Sequence, residues 1–234
     1  MHIVLIPGLW LDGSSWDRVI PVLERAGHTT HALTLPGLES RDADRSAVTL
    51  QDHIDAVVAA VDAVPEDEGK VLVVGHSMGS ALAYLAADAR PDRVARTVYI
   101  GGFPARDGEP LGNFAAENGE IPLPSWEDIG EDDLKDLDDA ARADFRARAI
   151  PSPQRFTTDP VRLTDERRYD VPVTVICPEF SAAQLRAWID AGEPSVQEFT
   201  RLRDVEYVDL PTGHWPQFSR PDELGRAIDA AAAK

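Results

Sequence analysis

Four short runs, Ile3–Ile6 (Ile-Val-Leu-Ile), Val71–Val74 (Val-Leu-Val-Val), Thr97–Ile100 (Thr-Val-Tyr-Ile) and Val173–Cys177 (Val-Thr-Val-Ile-Cys), are rich in β-branched residues and show no polar alternation. Such strands have no face for water, so they belong inside a parallel sheet covered on both sides. Between them lie segments with apolar residues three or four apart: Trp16 to Ala26, Leu50 to Val64, Met78 to Ala89, Ala182 to Asp190 and Glu223 to Ala233. That spacing gives each helix one apolar stripe to lay on the sheet. The alternation predicts an α/β fold with a doubly wound, mostly parallel sheet, and 234 residues suffice for its core.

The stretch 104–169 breaks the pattern. It carries Pro104, Pro110, Pro122, Pro124, Pro151, Pro153 and Pro160, no strand-like run, and a helix-like acidic segment from Trp126 to Arg148. The expected organisation is therefore a core of residues 1–103 and 170–234 interrupted by a helical lid over 104–169. Nine acidic residues within 127–144 read as a solvated helix face rather than a cation site.

Charge narrows the partners. A formal net charge of −18 argues against nucleic acid and anionic lipid as partners. The single cysteine, Cys177, reads as a buried strand residue; it excludes an intrachain disulfide and a cysteine metal site and suggests a cytoplasmic protein. The N-terminal apolar run is four residues long before Pro7 and has no basic flank, so neither a signal peptide nor a membrane span is expected. Oligomeric state is open at this level.

Gly75-His76-Ser77-Met78-Gly79 follows a strand run directly and precedes a helix-forming stretch. In that setting G-x-S-x-G marks a sharp strand-to-helix turn that pushes Ser77 Oγ into the open and aims a helix N-terminus at the reacting group. His76 reads as a packing residue. A serine hydroxyl needs a neutral imidazole to take its proton. His214, in Thr212-Gly213-His214-Trp215-Pro216 between a strand-like run at 205–210 and the last helix, is placed at the same sheet edge, whereas His28, His31 and His53 fall in ordinary strand or helix positions. The turn Pro7-Gly8-Leu9-Trp10 after the first strand supplies one expected oxyanion donor, the backbone N–H of Leu9, and Met78 next to Ser77 supplies the other. Trp10 and Trp215 flank this site as expected pocket walls.

These segments, Ile3–Trp16, the turn at Ser77 and Gly213–Leu224, resemble the α/β-hydrolase superfamily, in particular the small cofactor-free esterases that include plant methylesterases and hydroxynitrile lyases. The resemblance implies an α/β-hydrolase fold, a lid between the fourth and fifth strands, no metal or organic cofactor, and hydrolysis of a small carboxylic ester through an acyl-enzyme on Ser77. It also implies a triad acid, normally an aspartate after the strand equivalent to Val173–Cys177. Here that loop reads Pro178-Glu179-Phe180-Ser181, so Glu179 is the first choice and Asp107, after the preceding strand, the alternative. At the first turn the chain has Pro7-Gly8 where the family often has His-Gly. Other chemistries on the same scaffold are a lyase, a cofactor-free oxygenase, a cyclase or a receptor-like binder. Resembling lyases carry a lysine after the base histidine, where this chain has Trp215.

Overall fold

The computed structural model describes residues 1–234. Its strands are β1 (His2–Ile6), β2 (Thr29–Ala32), β3 (Val71–His76), β4 (Val94–Ile100), β5 (Glu120–Ile121), β6 (Ser152–Pro153), β7 (Val173–Cys177) and β8 (Val205–Asp209). Six form one sheet in the order β2-β1-β3-β4-β7-β8, with every neighbouring pair parallel. The helices are α1 (Ile20–Arg25), α2 (Leu50–Asp62), α3 (Met78–Ala89), α4 (Asp139–Arg148), α5 (Gln154–Thr158), α6 (Ala182–Asp190), α7 (Pro216–Ser219) and α8 (Pro221–Ala232).

Alternate residues of each apolar strand serve opposite faces. Val4, Ile6, Val73, Tyr99 and Val175 pack with Val57 of α2, Leu82 of α3 and Leu185 of α6. Ile3, Leu5, Val74, Val98 and Ile176 pack on the other side with Trp16, Leu23 of α1 and Ile228 of α8. This two-sided burial is the doubly wound architecture expected from the unbroken apolar runs. The edge strand β2, Thr-Thr-His-Ala, is only partly covered, which is why it carries no such run.

Three local expectations are corrected. The helix anticipated from Trp16 to Ala26 is a 3-10 turn at Gly13–Trp16, capped by Asp12, followed by α1 from Ile20, where Pro21 in the first turn favours helix entry. The acidic helix anticipated from Trp126 to Arg148 is a 3-10 turn at Trp126–Asp128, a series of turns, and then α4. Asp136 adopts φ 66°, which breaks the helix, and Asp138 starts a new one by accepting the Ala141 N–H at 2.8 Å. Within 104–169, where no strand was expected, β5 and β6 pair antiparallel over two residues each.

Two contacts fix this segment relative to the sheet. Leu134, Leu137 and Phe145 bury themselves with Leu11 and Trp215, placing the segment over the turn after β1 and the loop after β8. At its far end, the buried Asp88 of α3 accepts N–H bonds from Thr164 at 3.0 Å and Asp165 at 2.9 Å and pairs with Arg168 at 3.0 Å. Arg168 also stacks over the Tyr169 ring, 4.1 Å from its centroid, and meets Tyr84 Oη at 2.9 Å. No helix is long and apolar enough to cross a membrane.

Removing one partner of a buried pair leaves the other charge without compensation. Asp88→Ala should therefore lower the unfolding free energy by about 3 kcal/mol or more, measured by urea titration. A loss within the ordinary surface range of about 0.5 kcal/mol would show that this anchor is not needed.

Candidate active site

β3 delivers the chain to Ser77 in a left-handed conformation, φ 52° and ψ −122°, and α3 begins at the next residue. A non-glycine residue held there stores strain of order 1–3 kcal/mol. The turn closes because Gly75 has no side chain: a Cβ there would lie 2.1 Å from the Gly79 carbonyl oxygen. A second close approach brings in the turn after β1, since a Cβ on Gly8 would lie 2.9 Å from the Ser77 Cβ.

His214, on the loop after β8, places Nε2 2.8 Å from Ser77 Oγ across 137 residues of chain. Its Nδ1 lies 2.8 Å from Glu179 Oε1, two residues beyond the end of β7. Asp107, the alternative acid, instead accepts the Leu163 N–H at 2.9 Å. The structure thus brings Ser77, His214 and Glu179 together and leaves Asp107 engaged elsewhere.

The backbone of His214 is gripped from both sides. Its N–H donates to the Asp133 carbonyl at 2.8 Å, and its carbonyl lies 2.7 Å from His76 Nε2. A carbonyl only accepts, so Nε2 of His76 carries the proton and Nδ1 takes the Gln217 amide at 3.2 Å. Burial holds the His76 pKa down to about 3, with the nearby His214 charge acting in the same direction. His76, read from sequence as packing, is therefore a neutral support for the His214 loop. The contact spans 138 residues, and nothing local in the sequence signals it.

Burial lowers the His214 pKa, but the hydrogen bond and charge of Glu179 and the charge of Asp133 outweigh it, leaving the pKa above its ordinary 6.5. Burial raises the Asp133 carboxyl; His214 opposes that rise, while Glu179 and Asp132 add to it. Asp133, Glu179 and His214 each present a donor atom within 4.8 Å of the others, a spacing open to a divalent cation. However, Glu179 Oε1 and His214 Nδ1 are engaged with each other.

The Leu9 N–H makes no hydrogen bond within the chain, whereas the Trp10 N–H is taken by Ser152 Oγ at 2.9 Å. Met78 is the first residue of α3, where N–H groups lack intrahelical acceptors. Both backbone donors thus belong to turns that flank Ser77, and a helix N-terminus there favours negative charge. Cys177 is buried, which pushes its thiol up to about 12 and makes it inert.

Ser77 borders a hollow of about 230 Å³ with Met78, Ala81, Phe103, Pro104 and Leu111 among its walls. Trp10 and Trp215, the expected walls, do not line it. Trp215 is 3% exposed and packs edge-on against Phe145 at 5.1 Å, pinned by α4. Trp10, at φ 67°, sends its indole N–H to the Ile121 carbonyl at 3.1 Å. The walls Phe103 and Leu111 were missed because only tertiary packing brings the segment after β4 back over Ser77.

Residues 3–227 match the Alpha/beta hydrolase family. The chain is 26% identical to Methylesterase 7 of Arabidopsis thaliana over 94% of its own length and 92% of that protein's. It is 27% identical to a pyrethroid hydrolase of Sphingobium wenxiniae over 97% of its length and 85% of that protein's. An extracellular alpha/beta-hydrolase from a Paenibacillus species superposes with a TM-score of 0.77 at 21% identity, covering 99% of this chain and 98% of that one, a likeness of fold.

His76 and His53 are both buried and held neutral, with pKa values near 3 and about 4 against an ordinary 6.5. As pH falls below 6.5 the unfolded chain takes up protons that the folded chain refuses, so stability present above that value is progressively lost. Each such histidine contributes up to about 1.4 kcal/mol per pH unit. His214, with its raised pKa, acts oppositely: its contribution is present below 6.5 and fades as pH rises through its folded value. Urea unfolding between about pH 6.5 and pH 5 should show net destabilisation on acidification, and a flat profile would contradict neutral burial of the pair.

Proposed function

The chain belongs to the Alpha/beta hydrolase family, and on that premise we propose that it is a carboxylic-ester hydrolase using Ser77 as nucleophile, His214 as base and Glu179 as the acid that orients it. The observation that carries this reading is the continuous chain of two 2.8 Å contacts, Ser77 Oγ to His214 Nε2 and His214 Nδ1 to Glu179. The names of its relatives, a methylesterase and a pyrethroid hydrolase, support ester cleavage.

In this mechanism Ser77 Oγ attacks the ester carbonyl as its proton passes to His214 Nε2. Glu179 holds the ring with Nδ1–H pointing at itself and stabilises the imidazolium. The carbonyl oxygen becomes an oxyanion and accepts the Leu9 and Met78 N–H groups, each such donor contributing about 3 kcal/mol. His214 returns its proton to the departing alcohol, leaving an acyl-Ser77 that a water molecule, activated by the same imidazole, cleaves to the free acid. Segment 104–169 acts as a lid, contributing Pro104, Pro110 and Leu111 to the walls around Ser77. Trp215 places a buried indole where a cyanohydrin lyase would need a cation, which favours hydrolysis over that reading.

A serine-directed phosphonate should label Ser77, and Ser77→Ala should abolish both labelling and ester turnover. Glu179→Gln should lower kcat by orders of magnitude, up to about 10⁴-fold, while Asp107→Asn leaves it close to unchanged. The reverse ranking would move the acid to Asp107; intact turnover in Ser77→Ala would remove the serine mechanism.

The pH profile gives a separate check. Because only neutral His214 accepts the serine proton, kcat/KM should rise with pH to a plateau, with its midpoint above 6.5. Replacing Glu179 with Gln removes the main raising influence, so the midpoint should move down. A midpoint unaffected by that change would show that Glu179 does not act on the base.

A further inference from the structure

Beside the hollow at Ser77 lies a larger one of about 710 Å³, and the two share Gly101, Phe103 and Ser195. The two hollows therefore adjoin, and a ligand with its carbonyl at Ser77 lies beside the second. We propose that this second hollow selects esters whose chain bears an organic cation, an alkylammonium group; the proposal rests on the ester-hydrolase reading above.

One wall is a run of aromatic rings. Phe103 and Phe180 lie 5.6 Å apart between centroids, and Phe180 and Trp188 lie 5.4 Å apart. Trp188 is 36% exposed, and the only other exposed large apolar side chain is Met1. A partly exposed indole that lines a cleft offers aromatic surface to a ligand, and an ammonium group binds the face of an indole better than that of the other aromatic rings.

The remaining wall is anionic without compensation. Glu131, Asp132, Asp133, Glu179 and Glu193 line the hollow, and no lysine or arginine does. Only Glu179 has a side-chain partner of opposite charge, His214. Even there, Oε2 is buried with no hydrogen-bond donor. In the hollow at Ser77 the one cation, Arg106, is paired with Glu109. Unmatched charge of one sign within a cleft focuses its field and concentrates ligands of the other sign. Crowding is visible in Asp133, whose carboxyl is raised by burial and by its neighbours Glu179 and Asp132, against the pull of His214. Aromatic faces and carboxylates together bind an ammonium group and reject a carboxylate or phosphate.

The decisive comparison is acetylcholine against 3,3-dimethylbutyl acetate, which has the same shape and the same acyl group but no charge. The expected kcat/KM ratio favours acetylcholine by about tenfold or more, shrinks with added salt, and narrows in Trp188→Ala and in Asp132→Asn. Equal values for the two esters, or preference for the uncharged one, overturn the proposal while leaving ester hydrolysis standing. If neither these esters nor 4-nitrophenyl acetate is cleaved and Ser77 is not labelled, the hydrolase reading fails instead. Calorimetry of choline with Ser77→Ala then decides the hollow: binding that Trp188→Ala weakens upholds cation recognition, and no binding overturns it.

Discussion

The His214 ring stands between the Ser77 hydroxyl and the Glu179 carboxylate, and its backbone is held on both sides. Its N–H is fixed by the Asp133 carbonyl and its own carbonyl by His76. The three residues Ser77, Glu179 and His214 follow β3, β7 and β8, and in an all-parallel sheet these strands finish at one edge. An antiparallel neighbour would carry its following loop to the opposite edge. The direction of the strands is thus the precondition for the site, and the grip on the loop sets its finer geometry.

Two histidines whose rings lie 5.1 Å apart illustrate how environment divides roles. His76 meets a carbonyl and an amide and is buried without a carboxylate, so it stays neutral. His214 meets Glu179 and lies near Asp133, so it holds a proton more readily than an isolated imidazole. Two charged rings at that distance would repel each other, and the neutrality of His76 leaves His214 without a like charge beside it. A supporting residue that titrated in the same range would oppose the protonation of His214.

The segment between β4 and β7 ties the turn after β1 to the loop after β8. Its small apolar cluster with Leu11 and Trp215 brings the turn at residues 130–136 against the His214 loop. Part of the acidic stretch that reads as a solvated helix face consequently faces inward, beside His214. Asp133 contributes a backbone acceptor to the loop and a carboxylate to the cleft, two roles that depend on the chain not being helical there. The break at Asp136 is the local cause.

Much of the fold was legible in the residues because its causes are short-range. A run apolar on both faces needs cover on both faces, and a glycine two positions before a serine permits a turn that any side chain would block. Strand cores, most helices and the turn at Ser77 follow from such neighbours, whereas the partly covered β2 and the interrupted acidic stretch lacked a clear period. What the linear order left undecided were contacts across long gaps. Glu179 and Asp107 are both carboxylates after a central strand, and only packing sets one against Nδ1 and ties the other to Leu163. The His76 support, the Asp133 carbonyl and the aromatic wall of Phe103, Phe180 and Trp188 were invisible for the same reason. Each joins segments far apart in the chain, and their approach depends on the whole sheet and its covering layers rather than on any local pattern of residues.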